Sequence, residues 1–549
     1  MRYIYILLFC FLCSSPSWSQ NKSLYADKFS AANKLLEKKD YYGALRNFTE
    51  AYNADSSGGN IAYKMGLCLF YIGGKESDAI KYFEKAVKKV AKVCEINSSS
   101  EQAASPLTYY YLGLLYQKTY RFAEAVNSLK SLKVMKAPTD KDYPANVDHL
   151  IAQCNSGKMF IMAPSNAKII NLGDSINCGF SDYNPLVLQD ESSIVFTSRR
   201  SGPKNSTVLP DGEYHPYVYI SYVKKDTIWT AAKMFDANLN TLADNACVSI
   251  TPDGQQMILF SNSEKTGQLY LSRMGDEHWE APQKIGSDVN TVGNETSACL
   301  APDGNSLYFV SDRPGGIGGK DIWRCIKLPN GNWSRALNLG KTVNTMYDEE
   351  TPFMHADGHT FFFSSQGHNS MGGYDIFFSQ VLDSGKFSEP FNLGYPINTP
   401  DDEIHFSLSL DGKNGYFNSD RPGGKGKQDI YKVVMPHATE RPLTVIRGQI
   451  VASPGEPLSD DVHIIATDSA TQQEVGDFKP IKTSGRFTII VPPGRTYTLS
   501  YLDDDTEFYK EVINVPPDAG YKEIHKALNL SPHSIKGSAN DSTAHPNPH

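Results

Sequence analysis

Four Asp-Gly pairs recur at near-regular spacing between residues 253 and 412. "TPDG" ends at Gly254, "APDG" at Gly304, "HADG" at Gly358 and "SLDG" at Gly412, at intervals of 50, 54 and 54 residues. Each pair leads into an apolar run ("QQMILFS", "NSLYFVS", "HTFFFSS", "KNGYFNS"), so each predicts a hairpin built on a turn that tolerates positive φ. A further strand follows in every unit: "QLYLS", "DIWRC", "DIFFS" and "DIYKV". Three units then run into a closing phrase, "HWEAPQKIGSDVNT", "NWSRALNLGKTVNT" or "KFSEPFNLGYPINT". Four strands per repeat at a period near 50 predict the blades of a β-propeller. Upstream, "DYNPLVLQDESSIVFTSRR" aligns with the repeats if Asp190-Glu191 replaces Asp-Gly. "YVYISYVKKDTIWTAAKMF" then supplies its outer strands, and the residues between Arg200 and Tyr217 form a surface loop. The expected count is five blades over residues 175–436.

Between hairpin and outer strand, "SDRPGGIGGKDIW" (Ser311 to Trp323) and "SDRPGGKGKQDIY" (Ser419 to Tyr431) look at first like phosphate cradles. A Walker loop needs G-x-x-x-x-G-K-[ST] opening a helix. Here Pro314 stands where the first Gly belongs, Asp321 stands where the hydroxyl belongs, and a strand follows. The copy "SQGHNSMGGYDIF" loses the Lys and Arg but keeps the aspartate, so Asp321, Asp375 and Asp429 recur at steps of 54 residues. The expected role is structural, with glycines at positive φ and an aspartate tying the loop amides. Arg313 and Arg421 recur with the fold and are expected to brace a blade. The phrase S-D-R-P-G-G-x-G-x-x-D-I-[WY], with its preceding P-D-G, resembles the PD40, or TolB-like, propeller repeat. Blades one and two depart from it at "SRRSG" and "SNSEKTGQLY".

Aligning the blades on their turns exposes a second constellation. Asp244-Asn245, Asn294-Glu295, Asp348-Glu349 and Asp402-Glu403 stand ten and nine residues before the turn glycines. Just ahead of the innermost strands, Asp244, Glu295, Asp348, Glu349, Asp402 and Glu403 are expected to gather at the channel mouth. Such a rim would focus a negative potential on a cation or a basic peptide. The competing expectation is that each side chain caps backbone amides at the blade junction.

Residues 22–157 read as helices. Ala44, Phe48 and Ala51, then Ala79, Phe83 and Ala86, then Gly113, Tyr116, Ala125, Leu129 and Leu132, recur at helical spacing. Small and aromatic positions alternating through helix pairs resemble tetratricopeptide repeats, an α-solenoid that implies a peptide-binding face. A last helix near Ala145 to Ser156 would cap the array. Arg2, the run "YIYILLFCFLC" and the small residues of "SSPSWSQ" predict a cleavable secretory signal over 1–19. Leu12 argues against lipidation of Cys13. No other segment is long and apolar enough to span a membrane. The seven remaining cysteines contain no C-x-x-C pair, so neither a zinc site nor a dense disulfide framework is expected.

Residues 442–530 alternate apolar positions with turns, predicting a small β-sandwich. "GQIVASPGEPL" and "SGRFTIIVPPGRTYTLSY" resemble the carboxypeptidase regulatory-like domain. Residues 531–549 read as a disordered polar tail. A net charge of -8 argues against nucleic-acid binding. The 31 Tyr and 26 Phe favour β structure. No catalytic motif is found: "GHNSMGG" does not fit a nucleophile elbow, and His355 and His359 of "HADGH" span a turn rather than a zinc-binding helix. "DDD" at Asp503 to Asp505 lacks the rest of a calcium loop.

The order of helical array, propeller and regulatory-like sandwich resembles periplasmic proteins of Bacteroidetes envelopes, including components of type IX secretion and gliding machinery. These usually add an OmpA-like peptidoglycan-binding domain. No such domain is read here, so direct peptidoglycan contact is not implied. The resemblance implies a non-enzymatic scaffold without cofactors. It would lie peripheral to the outer membrane and bind other envelope proteins through the array and the propeller faces. A carbohydrate- or peptide-binding module is the alternative, and a hydrolase or lyase using the acidic rim is a further one.

Overall fold

The computed structural model describes residues 16–528 apart from 188–190, 203–204, 226–227, 242–243, 253, 263–265, 276–277, 383–384, 436–443, 451–457, 460, 481–484, 504–505 and 518–522. Most of the secretory segment with Cys13, the Asp190 turn position, Asp504-Asp505 and the C-terminal tail therefore lie outside the described residues. The chain divides into two compact units, residues 1–159 and 160–549.

The first unit is helical: α1 (Pro16–Glu37), α2 (Tyr41–Ala54), α3 (Gly59–Ile72), α4 (Glu76–Ala86), α5 (Leu107–Lys118), α6 (Phe122–Met135) and α7 (Val147–Met162). Asp40 caps α2 by accepting the Gly43 amide at 2.9 Å, which satisfies one of the orphan donors of a helix start. Ala44, Phe48 and Ala51 form its buried stripe, and Ala79, Phe83 and Ala86 do the same on α4. Between α4 and α5 the chain makes a long irregular excursion over residues 90–106. No described helix is long and apolar enough to cross a membrane.

The second unit contains five antiparallel sheets of similar plan. Their first strands are Asp182–Val187 (sheet I), Asn245–Ile250 (II), Glu295–Leu300 (III), Glu349–Met354 (IV) and Glu403–Leu408 (V). Within sheets II to IV the strands follow one another in chain order. The first strands pack I on II, II on III, III on IV, IV on V and V back on I. Five apolar clusters fill the gaps between consecutive sheets. The cluster joining V to I holds Tyr416, Ile430, Ile194, Phe196 and Tyr219.

This closed ring explains why the middle strands read as unbroken apolar runs. In Ser306–Ser311 every residue is buried. Leu307 and Phe309 face sheet II, whereas Tyr308 and Val310 face sheet IV. Alternate side chains enter opposite cores because a strand projects them to opposite faces.

Sheet V takes its fourth strand from far upstream. Lys168–Asn171 pairs with Asp429–Val434, from Lys168 opposite Val434 to Asn171 opposite Tyr431. The repeat region thus begins before residue 175, the limit expected from sequence.

C-terminal to the ring, a three-stranded sheet (Thr444–Ile450, Arg486–Val491, Glu523–Leu528) and a four-stranded sheet (Val462–Asp468, Glu474–Phe478, Arg495–Asp503, Thr506–Val515) share one core. Ile446, Phe487 and Ile489 meet Ile464, Tyr497, Leu499 and Tyr501 there. The seven described cysteines are free thiols, five of them buried.

Candidate functional site

The recurrent acids sit where each first strand begins. Glu295, Glu349 and Glu403 open their strands and are fully buried. A buried carboxylate is costly unless hydrogen-bonded or paired, and each of these is surrounded by donors. Glu349 accepts the Thr345 amide at 2.8 Å, the Thr345 hydroxyl at 2.7 Å and the Ser365 hydroxyl at 2.7 Å. Glu403 receives Thr399 and Ser419 in the same way, and Arg421 Nη2 joins at 3.0 Å. Glu295 receives Thr291, Ser311 and, at 3.2 Å, Arg313. In sheet I the position holds Asp182, paired with Arg200 at 2.7 Å. In sheet II it holds the neutral Asn245.

The arginines do three things at once. Arg313 crosses to Glu295, donates to the carbonyls of Asp288 and Val289, and lies over the rings of Phe309 and Trp323. Arg421 repeats this with Glu403, Pro396, Ile397, Phe417 and Tyr431. In sheet IV, Gly367 occupies the arginine position. His368 instead reaches the corresponding carbonyl, Val343 O, at 2.9 Å, and packs against Phe363 and Phe377. Burial pushes the carboxyls of Glu349 and Glu403 up to about 7. The glutamates of the expected acidic rim are therefore corrected to internal clamps. Strand-initiating side chains point into the junction between sheets, where only hydrogen-bonded groups can be buried.

The residue ahead of each clamp latches onto the preceding sheet. Asp348 accepts the Lys320 amide at 3.0 Å, Asp402 the Tyr374 amide at 2.9 Å and Asn294 the Gly267 amide at 3.2 Å. Asp244 pairs instead with the His215 ring at 2.5 Å. These partly exposed acids are thus engaged between sheets as well.

The glycine-rich loops lie in the same seams. Asp321 accepts the amides of Ile317 and Gly318. Asp429 accepts those of Lys425 and Gly426, and Asp375 accepts that of Met371. Gly319 N donates to Tyr347 O, and Lys320 Nζ to Glu350 Oε1 at 2.6 Å. The amides of Ile317, Gly318, Gly319 and Lys320, and the lysine that suggested a phosphate cradle, are engaged within the protein. Positive φ accounts for Gly315 and Gly423, but close approach accounts for the later glycines. A Cβ on Gly318 would stand 2.1 Å from Tyr347 O, and one on Gly372 2.3 Å from Pro400 Cα.

A polar set that sequence reasoning missed completes the seams. Asn177, Asn290, Asn344 and Asn398 each clasp both main-chain groups of one residue on the third strand of the preceding sheet. Asn344 holds Ile322 N and O at 2.8 and 2.9 Å. Asn177 holds Ile430 across the closure of the ring at the same distances. Asn171 donates to Asp429 at 2.7 Å, as Asn338 does to Asp321 at 2.8 Å and Asn392 to Asp375 at 2.7 Å. The clue was in the chain: "NLGDSINC" at 171–178 is a further copy of "NLGKTVNT" and "NLGYPINT".

Along the ring axis the first strands bulge. Asn184, Thr351 and His405 adopt φ of 54°, 52° and 58° there. They line a cavity of about 70 Å³ bounded by first strands of all five sheets, room for a few waters. Burial lowers His405 to about 4, so its ring is neutral at pH 7. His355 is buried with its ring 3.3 Å from both Ser409 O and Asp357. Among the described residues no group of three or more His, Cys, Asp or Glu could hold a metal ion. The loop end of the ring also turns apolar side chains outward. Val292 and Met346 follow the Asn-Thr pairs of adjacent repeats and are 88% and 72% exposed.

No protein-family model matches the chain, and no curated protein matches it. Among solved structures, TolB from Acinetobacter baumannii is 15% identical over 47% of this chain and 55% of its own, with a TM-score of 0.28. A putative TolB from Agrobacterium tumefaciens is 14% identical over 59% of this chain and 97% of its own, with a TM-score of 0.28. The type III secretion chaperone SycD from Yersinia enterocolitica, in complex with a peptide of the translocator YopD, is 17% identical. It covers 26% of this chain and 97% of its own, with a TM-score of 0.20.

Proposed function

We propose that the chain is a non-enzymatic scaffold of the periplasmic side of the outer membrane, built from a tetratricopeptide-like array, a five-bladed TolB-like propeller and a small β-sandwich. On this reading the array and the loop end of the propeller each hold a protein partner, in an envelope machinery of the type IX secretion or gliding kind. The observation that carries the reading is the fate of the acids. The recurrent acids that the sequence marks as a chemical site are internal clamps or inter-sheet latches, while Val292 and Met346 present apolar surface at equivalent positions of adjacent repeats. Exposed apolar side chains repeated at equivalent positions are the kind of surface a protein partner would cover. Trp229, Trp279 and Trp323 are buried, so they form no exposed aromatic platform of the kind a glycan would stack on.

Affinity purification from native envelopes tests this. Stable co-purifying proteins, lost when Val292 and Met346 are replaced together by Asp, are the expected result. Absence of any partner, with turnover of a glycan or peptide by the purified protein, would overturn it.

A further inference from the structure

The excursion between α4 and α5 does not simply loop out. Its ends are tied down, with Gly59 N donating to Gln102 O at 2.7 Å and Ala104 N to Lys89 O at 2.8 Å. Its tip lies across α1 and α3. Asn33 Nδ2 on α1 donates to Asn97 O at 3.3 Å. Asn60 Nδ2 on α3 donates to Ile96 O at 3.2 Å and Ser98 O at 3.4 Å. Lys64 Nζ, one turn further along α3, donates to Asn97 Oδ1 at 2.9 Å. The three holding side chains are 7%, 0% and 2% exposed, whereas Val93 on the segment is 88% exposed.

The fit is half complete. Asn33 Oδ1 and Asn60 Oδ1 are buried with no hydrogen-bond partner, although a side-chain amide facing an extended chain can accept a main-chain N–H as well as donate to a carbonyl. The buried ammonium of Lys64 has a neutral amide as its partner, where a carboxylate would give a stronger, charge-assisted bond. Buried acceptors left unpaired are costly, so this arrangement favours any occupant that supplies both missing elements.

We propose that residues 95–98 are a built-in occupant of a peptide site on α1 and α3. The partner that displaces them is an extended peptide presenting free main-chain N–H groups and an Asp or Glu side chain to Lys64. The proposal rests on the reading of the array as a partner-binding module, and adds that the site is self-closed until the acidic peptide arrives.

The test replaces residues 93–100 of the full chain by a Gly-Ser linker of equal length. Fluorescein-labelled synthetic peptides matching 93–101 are then titrated by anisotropy, with Cys94→Ser and either the native residue or Asn97→Asp. The linker variant is expected to bind the native peptide, and the Asn97→Asp peptide about tenfold more tightly, since a charged partner adds on the order of one power of ten. The wild-type chain should bind each at least about tenfold more weakly than the variant does. Adding Asn60→Ala to the variant should remove most of the binding. A folded linker variant that binds neither peptide, or a wild-type chain that binds as well as the variant, overturns the inference.

If the linker variant does not fold, Asn97→Asp in the full chain provides the second reading. Tighter closure should slow hydrogen exchange of the amides of 95–101, and unchanged exchange overturns the proposal. Equal capture of envelope partners by wild type and linker variant would end self-occupancy while leaving the scaffold reading in place. Peptide binding by the variant without any captured partner does the reverse.

Discussion

Among the described residues, Glu349 is a clamp whose carboxyl has no guanidinium beside it, because Gly367 stands where sheets III and V carry Arg313 and Arg421. Its carboxyl titrates near 7 in the fold through burial, against about 4.3 in an unfolded chain. Between those values the folded state keeps a proton that the unfolded state has released. Stability is therefore full below about pH 4 and is lost as pH rises toward 7, by about 4 kcal/mol. Glu349→Gln removes the titration. Thermal melting should show the variant gaining on wild type between pH 5 and pH 8, and a gap that stays constant with pH contradicts this assignment. From sequence, the recurrence of Glu295, Glu349 and Glu403 was visible but their direction was not. An acid ahead of a strand reads alike whether it faces a channel or a seam, and the choice was made by Thr and Ser donors four and sixteen residues away.

At the scale of elements, the glycine-rich phrase looked like a loop with freedom and proves to be a spacer between sheets. Alanine at Gly318 would drive a methyl group into the backbone of Thr345 to Tyr347, the segment that leads into the next sheet, and overpacking of this kind costs about 2 kcal/mol or more. Gly304 has φ of 67° with nothing within 4 Å of its missing Cβ, so alanine there should cost only about 1 kcal/mol through strain. Denaturant titration of the two variants checks the ordering, and equal losses would mean that the seam is soft. The hairpins and their order were legible because Asp-Gly turns and aromatic runs are local features. The fourth strand of sheet V was not, since Lys168–Asn171 pairs with residues more than 250 positions away. Only the Asn-Leu-Gly phrase that ends it pointed to its partner.

For the whole molecule, helices followed by a repeated antiparallel region could be read from periodicity alone, because a solenoid-like or ring-like chain writes its neighbour contacts into every repeat. What periodicity cannot write is a surface that acts once. The self-held segment at 95–98 falls in a stretch of the helical unit without repeat spacing, and Val292 and Met346 are exposed apolar residues among many. Both belong to the claim that this chain works by holding other proteins. Cross-linking mass spectrometry on native envelopes tests that claim most directly, with Lys81 and Lys88 reporting for the helical unit and Lys341 and Lys425 for the loop end of the ring. The account predicts cross-links from both groups to a recurrent set of envelope proteins. Cross-links confined to the chain itself, at lysines that react freely with the reagent, would contradict it.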